Sequence, residues 1–442
     1  MKTFLLINAP IYWERMLVDE EYLSPLGLGY IATYIEQENI SVDLLDCVNE
    51  NIPVKEIIAY IDERQPDFLG INIFTQNYDI VKYIVEHITV RCECYIGGQS
   101  VKSIYDYILE WNCINNLNII IGEGEFIIPA ILTNKCKQIP EVIIKNKKVY
   151  RVNRYSEYFP TNLDEINLNR KFLKNELMRN HYNQNEISLI TSRGCSYNCT
   201  FCGGALDLNR DVNIRINKDY AIRDEIRYIL EMYPEVQSIR ILDDLFLRNA
   251  NSIDSAIKIF NMFPELKWRG MVHVLSLLKN TEQIEELKLS GCEELFMGIE
   301  SGSEKIRRKI NKLGSVENVL KVSKAILEQG IDLKGYFIYG FPNETVEDFE
   351  KTYRLAYTIN EISKSTSGNF RTSVFQFRPY HGTQIYNELV ETGITIGSCN
   401  ISMNINQFEG RNQFNFDFGN FSEETDEILN EYIVNTQMLR GE

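Results

Sequence analysis

The sequence predicts an α/β protein: an amino-terminal doubly wound parallel sheet over residues 1–134, a linker over 135–186, a partial (β/α)6 barrel over 187–385 and a small carboxyl-terminal extension over 386–442. Three observations carry this. Short apolar runs alternate with helical periodicity from the amino terminus to about Asn134. A polar, Asn-rich stretch with no glycine follows, and a second βα series then begins at Ile187. Six such repeats suggest most of a parallel barrel, whose chemistry belongs at the carboxyl ends of the strands.

In the first series, strands are expected at Thr3–Asn8, Val42–Leu45, Phe68–Ile73, Cys94–Ile96 and Asn118–Ile121, with helices at 31–38, 54–63 and 78–88. Open sheets of this kind bind ligands outside the carboxyl ends of their strands. The loops there are 8–29, which carries Pro25, Leu26 and Gly27; Thr75, Gln76 and Asn77; Gly97 and Gly98; and Gly122, Glu123, Gly124 and Glu125. Glycine lets backbone approach a bulky ligand, although each of these residues could equally serve only its turn. The linker contains KNKKVYRVNRYSEYFP, with room for a small hairpin. In the second series, strands are expected at 187–191, 238–242, 268–272, 294–298, 332–338 and 371–377, and one helix closes the chain over 423–439.

Composition sets outer limits. The 442 residues are 44% hydrophobic and 24% charged, which suits a chain with a sizeable core and rules out disorder as a whole-chain answer. Against 46 Lys plus Arg stand 62 Asp plus Glu, a net charge of -16, so retention on nucleic acid or anionic lipid by bulk charge is not expected. No apolar run reaches membrane-spanning length, and MKTFLLINAPIYWER lacks the features of an export signal, so the expected location is cytoplasmic. Ten cysteines are too sparse for a disulfide scaffold.

Three of them stand together. Just after the first strand of the second series, Cys195, Cys199 and Cys202 form a C-x3-C-x2-C spacing within RGCSYNCTFCGG. Zinc sites usually take four protein ligands, and no fourth Cys or His stands at suitable spacing. A cubane iron-sulfur cluster held by three thiolates keeps one iron open. Elsewhere, Asp243 and Asp244 follow the second strand and could cap the next helix. Glu300 follows the fourth and could pair with Lys305. His273 sits at the barrel mouth as an active-site candidate, while Cys92, Cys94, Cys292, His87 and His181 read as structural.

With Phe201 as its aromatic residue, the cysteine loop resembles that of the radical S-adenosylmethionine superfamily, and the resemblance continues in the DDLF, GIESG and GYFIYGFP segments. PYHGT matches a further element, with His381 in place of its second proline. The resemblance implies that Cys195, Cys199 and Cys202 ligate a [4Fe-4S] cluster whose open iron chelates S-adenosylmethionine. It likewise implies that Phe201, Gly203, Gly204, Asp243, Asp244, Glu300, Ser301 and Gly340 surround that cofactor. The first domain looks like that of the cobalamin-binding subclass, so Pro25, Leu26, Gly27, Thr75, Gln76, Asn77, Gly97, Gly98, Gly122, Glu123, Gly124 and Glu125 are implied to line a corrin. Residues 8–29 contain no histidine, which excludes the histidine ligation through that loop used by cobalamin-dependent mutases.

The implied function is a methyltransferase acting on an unactivated carbon through a 5′-deoxyadenosyl radical and methylcobalamin. The alternative is radical oxidation, ring rearrangement or cyclisation without methyl transfer. The implied partners are a small-molecule or peptide substrate and an electron donor such as flavodoxin or ferredoxin. Neither a membrane nor a nucleic acid is expected among them.

Overall fold

The computed structural model describes residues 2–14, 22–393, 404–405, 416–417 and 420–439. It divides into two compact units, residues 1–176 with 210–213 and 380–413, and residues 177–209, 214–379 and 414–442. Parts of the 8–29 loop and of the 386–442 extension lie outside the described residues.

The first unit is built on β1 (Thr3–Asn8), β2 (Ser41–Asp46), β3 (Phe68–Asn72), β4 (Glu93–Gly97), β5 (Asn116–Ile121), β6 (Val142–Ile144) and β7 (Lys147–Arg151). Their spatial order is β2-β1-β3-β4-β5-β7-β6, all parallel except the β6–β7 hairpin. Between them run α1 (Leu26–Glu36), α2 (Val54–Arg64), α3 (Tyr78–His87), α4 (Val101–Leu109) and α5 (Ile127–Leu132). The 2-1-3-4-5 order puts the topological switch between β1 and β3, where open sheets place their ligands.

Two expectations need correction here. The hairpin at 142–151 belongs to the sheet, because β7 continues it in parallel register from β5, with Leu117 opposite Lys147. The loop after β1 ends at Pro25 rather than Gly29: Pro25 caps α1, and Leu26 and Gly27 are its first two residues. Proline at a helix start suits the fixed φ it imposes.

The second unit contains a curled sheet in the order β16-β15-β14-β13-β12-β9-β8. In chain order, β8 (Met178–Arg179) and β9 (Asn185–Leu189) precede a short hairpin of β10 (Ser192–Arg193) with β11 (Arg215–Ile216). Then come β12 (Ser238–Ile241), β13 (Lys267–Val272), β14 (Cys292–Glu300), β15 (Asp332–Tyr339) and β16 (Phe370–Gln376). The six strands from β9 through β12 to β16 pair in parallel, as the sequence predicts.

Helices α6 (Asp219–Met232), α7 (Ala250–Phe260), α8 (Val274–Leu278), α9 (Ile284–Leu289), α10 (Glu304–Lys309), α11 (Val316–Glu328) and α12 (Val346–Ser363) connect the strands. After α13 (Gln384–Glu391), the last helix, α14 (Asp426–Gln437), packs in this unit's core through Leu429 and Ile433.

Strand alternation sorts the residues of this sheet into two faces. Ile187, Ile239, Trp268, Leu295, Leu333 and Phe370 join the core formed with the helices. Alternate residues turn away from it. At the amino-terminal end of that second face, Arg269 is fully buried between Glu186 (2.5 Å) and Glu294 (2.9 Å), and Arg371 also reaches Glu294. A buried charge is tolerable only when paired in this way. Among the described residues, no helix is long and apolar enough to cross a membrane.

Candidate active site

The cysteine loop leaves the sheet through β10 and turns at Gly194, whose φ of 96° favours glycine. Backbone bonds shape it: Cys202 N–H donates to Cys199 O (3.1 Å), Ala205 N–H to Cys202 O (3.1 Å) and Leu206 N–H to Tyr197 O (2.9 Å). The loop is tied to the end of α10 by Thr200 N–H to Ile310 O (3.1 Å) and by Asn311 Nδ2 to Asn198 O (2.8 Å).

All three cysteines are free and half-buried. Burial raises each thiol, and the neighbouring thiols raise Cys202 further, to about 12. Three thiols that oppose one another's ionisation need cationic charge to become thiolates together, and metal binding supplies it while releasing their protons. Among the described residues no three donors close on a single ion. A cubane cluster takes each of three thiolates on its own iron and keeps the fourth iron open.

The surroundings of the loop fit such a group. Gly204 N–H points at Cys202 Sγ (3.3 Å), the kind of amide-to-sulfur bond that tunes a cluster. Among the described residues, a side chain at Gly203 would meet nothing within 4 Å, so the backbone beside the third cysteine is open to a ligand. Phe201 meets Phe341 edge-on at 5.6 Å, which brings the aromatic of the cysteine loop to the segment that follows Gly340.

Asp243 and Asp244 take different tasks, and neither caps a helix, since Asn249 caps α7. Asp243 accepts from Thr191 N–H (2.7 Å) and Oγ1 (2.6 Å) and from Ser192 N–H (3.0 Å) and Oγ (2.5 Å), which anchors the strand leading into the cysteine loop. Asp244 accepts from Gly194 N–H (3.1 Å), and its Oδ1 lies 3.8 Å from where a Gly204 side chain would begin. Asp244 is exposed; the protein packed around it raises its carboxyl, partly offset by the Gly194 amide and Arg248.

Glu300 sits at a β-bulge with φ 65° and pairs with buried Lys312 (3.0 Å), not with Lys305, which reaches Asp348 instead. Gly298 gives the pair its room: a Cβ there would stand 2.4 Å from Glu300 Oε1 and 2.8 Å from Lys312 Nζ and displace those side-chain ends. Lys312 also lowers the Cys195 and Cys199 thiols against their burial. Sequence reading missed Lys312, for lysine twelve residues beyond a strand end carries no spacing signal.

Ser301 is fully buried and bonds Thr352 (3.1 Å), while Gly340 packs against Leu429 of α14. His273 stacks on Tyr197 at 3.8 Å and 19°. Its Nδ1 accepts from Leu275 N–H (3.2 Å), and burial with Lys312 and Arg307 nearby pushes its pKa down to about 3. The imidazole is therefore neutral and carries its proton on Nε2.

In the first unit, the carboxyl ends of the central strands are laced together. Asn8 Nδ2 donates to Asp46 (2.7 Å), Asn72 Nδ2 to Asn8 (2.7 Å) and Ala9 N–H to Asn72 Oδ1 (2.9 Å). Sequence reading missed this ladder, though each of three apolar runs ends in Asn or Asp.

Asn77 is fully buried and donates to Ala9 O (3.2 Å), so it ties loops together. Thr75 bonds Ser100 (2.9 Å), and Gln76 donates to the Tyr380 hydroxyl (3.1 Å). Gly98 and Gly122 are required by their backbones: a Cβ would stand 2.3 Å from Ile73 O and 2.1 Å from Val152 O. By contrast, among the described residues a side chain would meet nothing within 4 Å at Gly27 and only Ile120 O (3.9 Å) at Gly97. Gly124 is close-packed on Ile128, Glu125 is buried and Glu123 half-buried. The open backbone at Gly27 and Gly97 on the ligand edge fits a flat, bulky group such as a corrin, and no histidine stands in these loops to ligate it.

Comparison with known proteins agrees with this geometry. Residues 189–356 match the radical SAM superfamily and residues 16–132 match the B12 binding domain. The chain belongs to the cobalamin-binding branch of the radical S-adenosylmethionine enzymes.

It is 26% identical over 385 residues to an uncharacterized methyltransferase of Pyrococcus horikoshii, covering 84% of this chain and 80% of that one. It is 22% identical to the cytidylyl-2-hydroxyethylphosphonate methyltransferase of Streptomyces wedmorensis, covering 84% and 78%. Its fold is similar to that of the radical S-adenosylmethionine methyltransferase TsrM from Kitasatospora setae, solved with cobalamin and a [4Fe-4S] cluster (TM-score 0.63, 15% identity, 93% of this chain and 78% of that one). It is also similar to the cobalamin-dependent radical enzyme OxsB (TM-score 0.58, 19% identity, 80% of this chain), of which it spans 52% of the length.

Proposed function

We propose that this protein is a cobalamin-dependent radical S-adenosylmethionine methyltransferase that methylates an unactivated carbon of a small molecule or peptide. The observation that carries the reading is the set of three mutually opposed thiols on the loop after β9, flanked by Asp244 and the Glu300–Lys312 pair. It stands in one chain with a 2-1-3-4-5 sheet whose ligand edge leaves backbone open at Gly27 and Gly97. The names of the two relatives above favour methyl transfer over the other radical outcomes.

When bound, the cluster with S-adenosylmethionine would supply a 5′-deoxyadenosyl radical and the corrin would relay a methyl group. The chain's own residues do the rest. Cys195, Cys199 and Cys202 would hold the cluster, and the open backbone at Gly203 leaves room beside the third cysteine for a ligand. Asp244 offers a carboxylate to the amino group of S-adenosylmethionine, and Lys312 with Glu300 presents a paired charge to its carboxylate and ribose. Phe201, backed edge-on by the buried Phe341 ring, offers an aromatic surface to the adenine. A one-electron donor such as flavodoxin or ferredoxin would reduce the cluster.

The test is anaerobic incubation of reconstituted, reduced protein with methyl-deuterated S-adenosylmethionine. We expect 5′-deoxyadenosine together with S-adenosylhomocysteine whose formation requires added cobalamin. Deoxyadenosine without cobalamin-dependent S-adenosylhomocysteine would refute methyl transfer.

A further inference from the structure

The amino-terminal end of β4 lies at the edge of the first sheet opposite the ligand loops. There Cys92, one residue before the strand, and Cys94, its second residue, project to the same side, as positions two apart on extended chain do. Their sulfurs are 3.8 Å apart. Cys94 is fully buried, while Cys92 is half-buried.

The pair is held in place. Cys92 N–H donates to Asn115 Oδ1 (3.1 Å), Asn115 Nδ2 donates to Val90 O (3.0 Å) and Glu93 N–H donates to Asp67 O (3.1 Å). The two thiols are also electrically unlike. The contact between the two thiols lowers the Cys92 pKa in spite of burial and of Asp62 and Glu93, and that same contact together with burial raises Cys94 well above its ordinary value. Cys113 stands near, but its thiol faces Asn115 O (3.5 Å) and burial raises its pKa.

A partly exposed thiol that ionises first, in contact with a buried thiol that keeps its proton, is the arrangement of an attacking and a resolving cysteine. We propose that Cys92 and Cys94 form a thiol–disulfide exchange site that takes low-molecular-weight disulfides, separate from the cluster thiols. Cys92 thiolate attacks one sulfur of the small disulfide, forms a mixed disulfide and expels one small thiolate. Cys94 Sγ then attacks Cys92 Sγ, forming the Cys92–Cys94 bond and expelling the second, while the Cys94 proton passes to the departing thiolate. One small disulfide is reduced to two thiols and one protein dithiol is oxidised.

The sulfurs must close to about 2.05 Å, and Cys92, outside the strand ladder and held by its one backbone bond to Asn115, is the partner whose side chain rotates toward Cys94. A bridge over a single intervening residue is strained, which places it among the readily reduced, exchangeable disulfides.

Trypsin cleavage after Arg91 and Lys102 releases residues 92–102, which contain both cysteines and no other. The cluster-loaded protein is treated anaerobically with oxidised glutathione, alkylated with N-ethylmaleimide and digested. We expect this peptide to be unalkylated and lighter by two hydrogens than its dithiol form. Dithiothreitol should restore it, and iron per chain should not change. In Cys94→Ser, a lasting glutathione adduct on Cys92 is expected instead. A fully alkylated dithiol peptide, a lasting adduct on Cys92 in the unsubstituted protein, or a cross-link joining this peptide to the one with Cys113 would each overturn the assignment.

Discussion

Replacing Asp243 by Ala should loosen the cysteine loop at its root without touching a cysteine. The carboxylate is buried and accepts four hydrogen bonds of 2.5–3.0 Å from Thr191 and Ser192, with Arg248 Nη2 3.6 Å away. A hydrogen bond to a charged acceptor contributes roughly 1.5–3 kcal/mol. Burial raises the Asp243 carboxyl against the pull of those four donors, so part of their sum goes into desolvating it. Truncation leaves four donors and a guanidinium facing a cavity, and a loss of about 3–5 kcal/mol is expected. Chemical unfolding of the cluster-free protein, with iron and sulfide counted after reconstitution, reads both the loss and its effect on the loop. Asp244→Asn should keep its stability within about 1 kcal/mol, because its carboxylate accepts a single backbone bond, and should lose S-adenosylmethionine binding instead. An Asp243→Ala protein that unfolds within about 1 kcal/mol of the parent and assembles full clusters would refute the anchoring role.

Two further outcomes follow from a buried carboxyl and a constrained glycine. Burial alone raises Glu294, but Arg371 and Arg269 hold it down to about 2 from an ordinary 4.5. A depressed carboxyl stabilises the fold above its unfolded pKa and loses that contribution as pH falls, so roughly 3 kcal/mol should disappear between about pH 5 and 2. Glu294→Gln should flatten this acid limb while lowering stability at neutral pH, and an unchanged limb would contradict the assignment. Gly122→Ala, with φ at 100° and its Cβ 2.1 Å from Val152 O, should cost about 2–4 kcal/mol, whereas Gly27→Ala should be neutral or slightly stabilising. Equal unfolding midpoints for the two variants would count against the backbone requirement at Gly122.

The barrel strands were legible because their helix-facing residues are apolar at every second position and lie in one core, from Ile187 to Phe370. The β6–β7 hairpin was hidden by its charges. Lys147 looks like linker, yet it is buried and its Nζ donates to Leu109 O (2.7 Å) and Trp111 O (2.5 Å), carbonyls at and just beyond the end of α4. That is tertiary context, invisible to a pattern of hydrophobicity. The start of α1 was read as loop since Pro25 and Gly27 signal a turn, although proline is well placed at a helix start. Within the site, the cysteine loop could be found by spacing alone. Which of two adjacent aspartates faces a ligand could not, and the Lys312 partner of Glu300 depends on a bulge that re-aims the side chain.

The most direct test is cofactor stoichiometry. Protein reconstituted anaerobically with iron, sulfide and hydroxocobalamin, then desalted, should show about one corrin by its visible spectrum and about four irons per chain. Cys195→Ala/Cys199→Ala/Cys202→Ala should lose the iron and keep the corrin. A parent protein that retains its cluster but no corrin would leave hydrogen abstraction standing and contradict methyl transfer through the first unit. One that assembles no cluster with all three cysteines intact would contradict the assignment of the site itself.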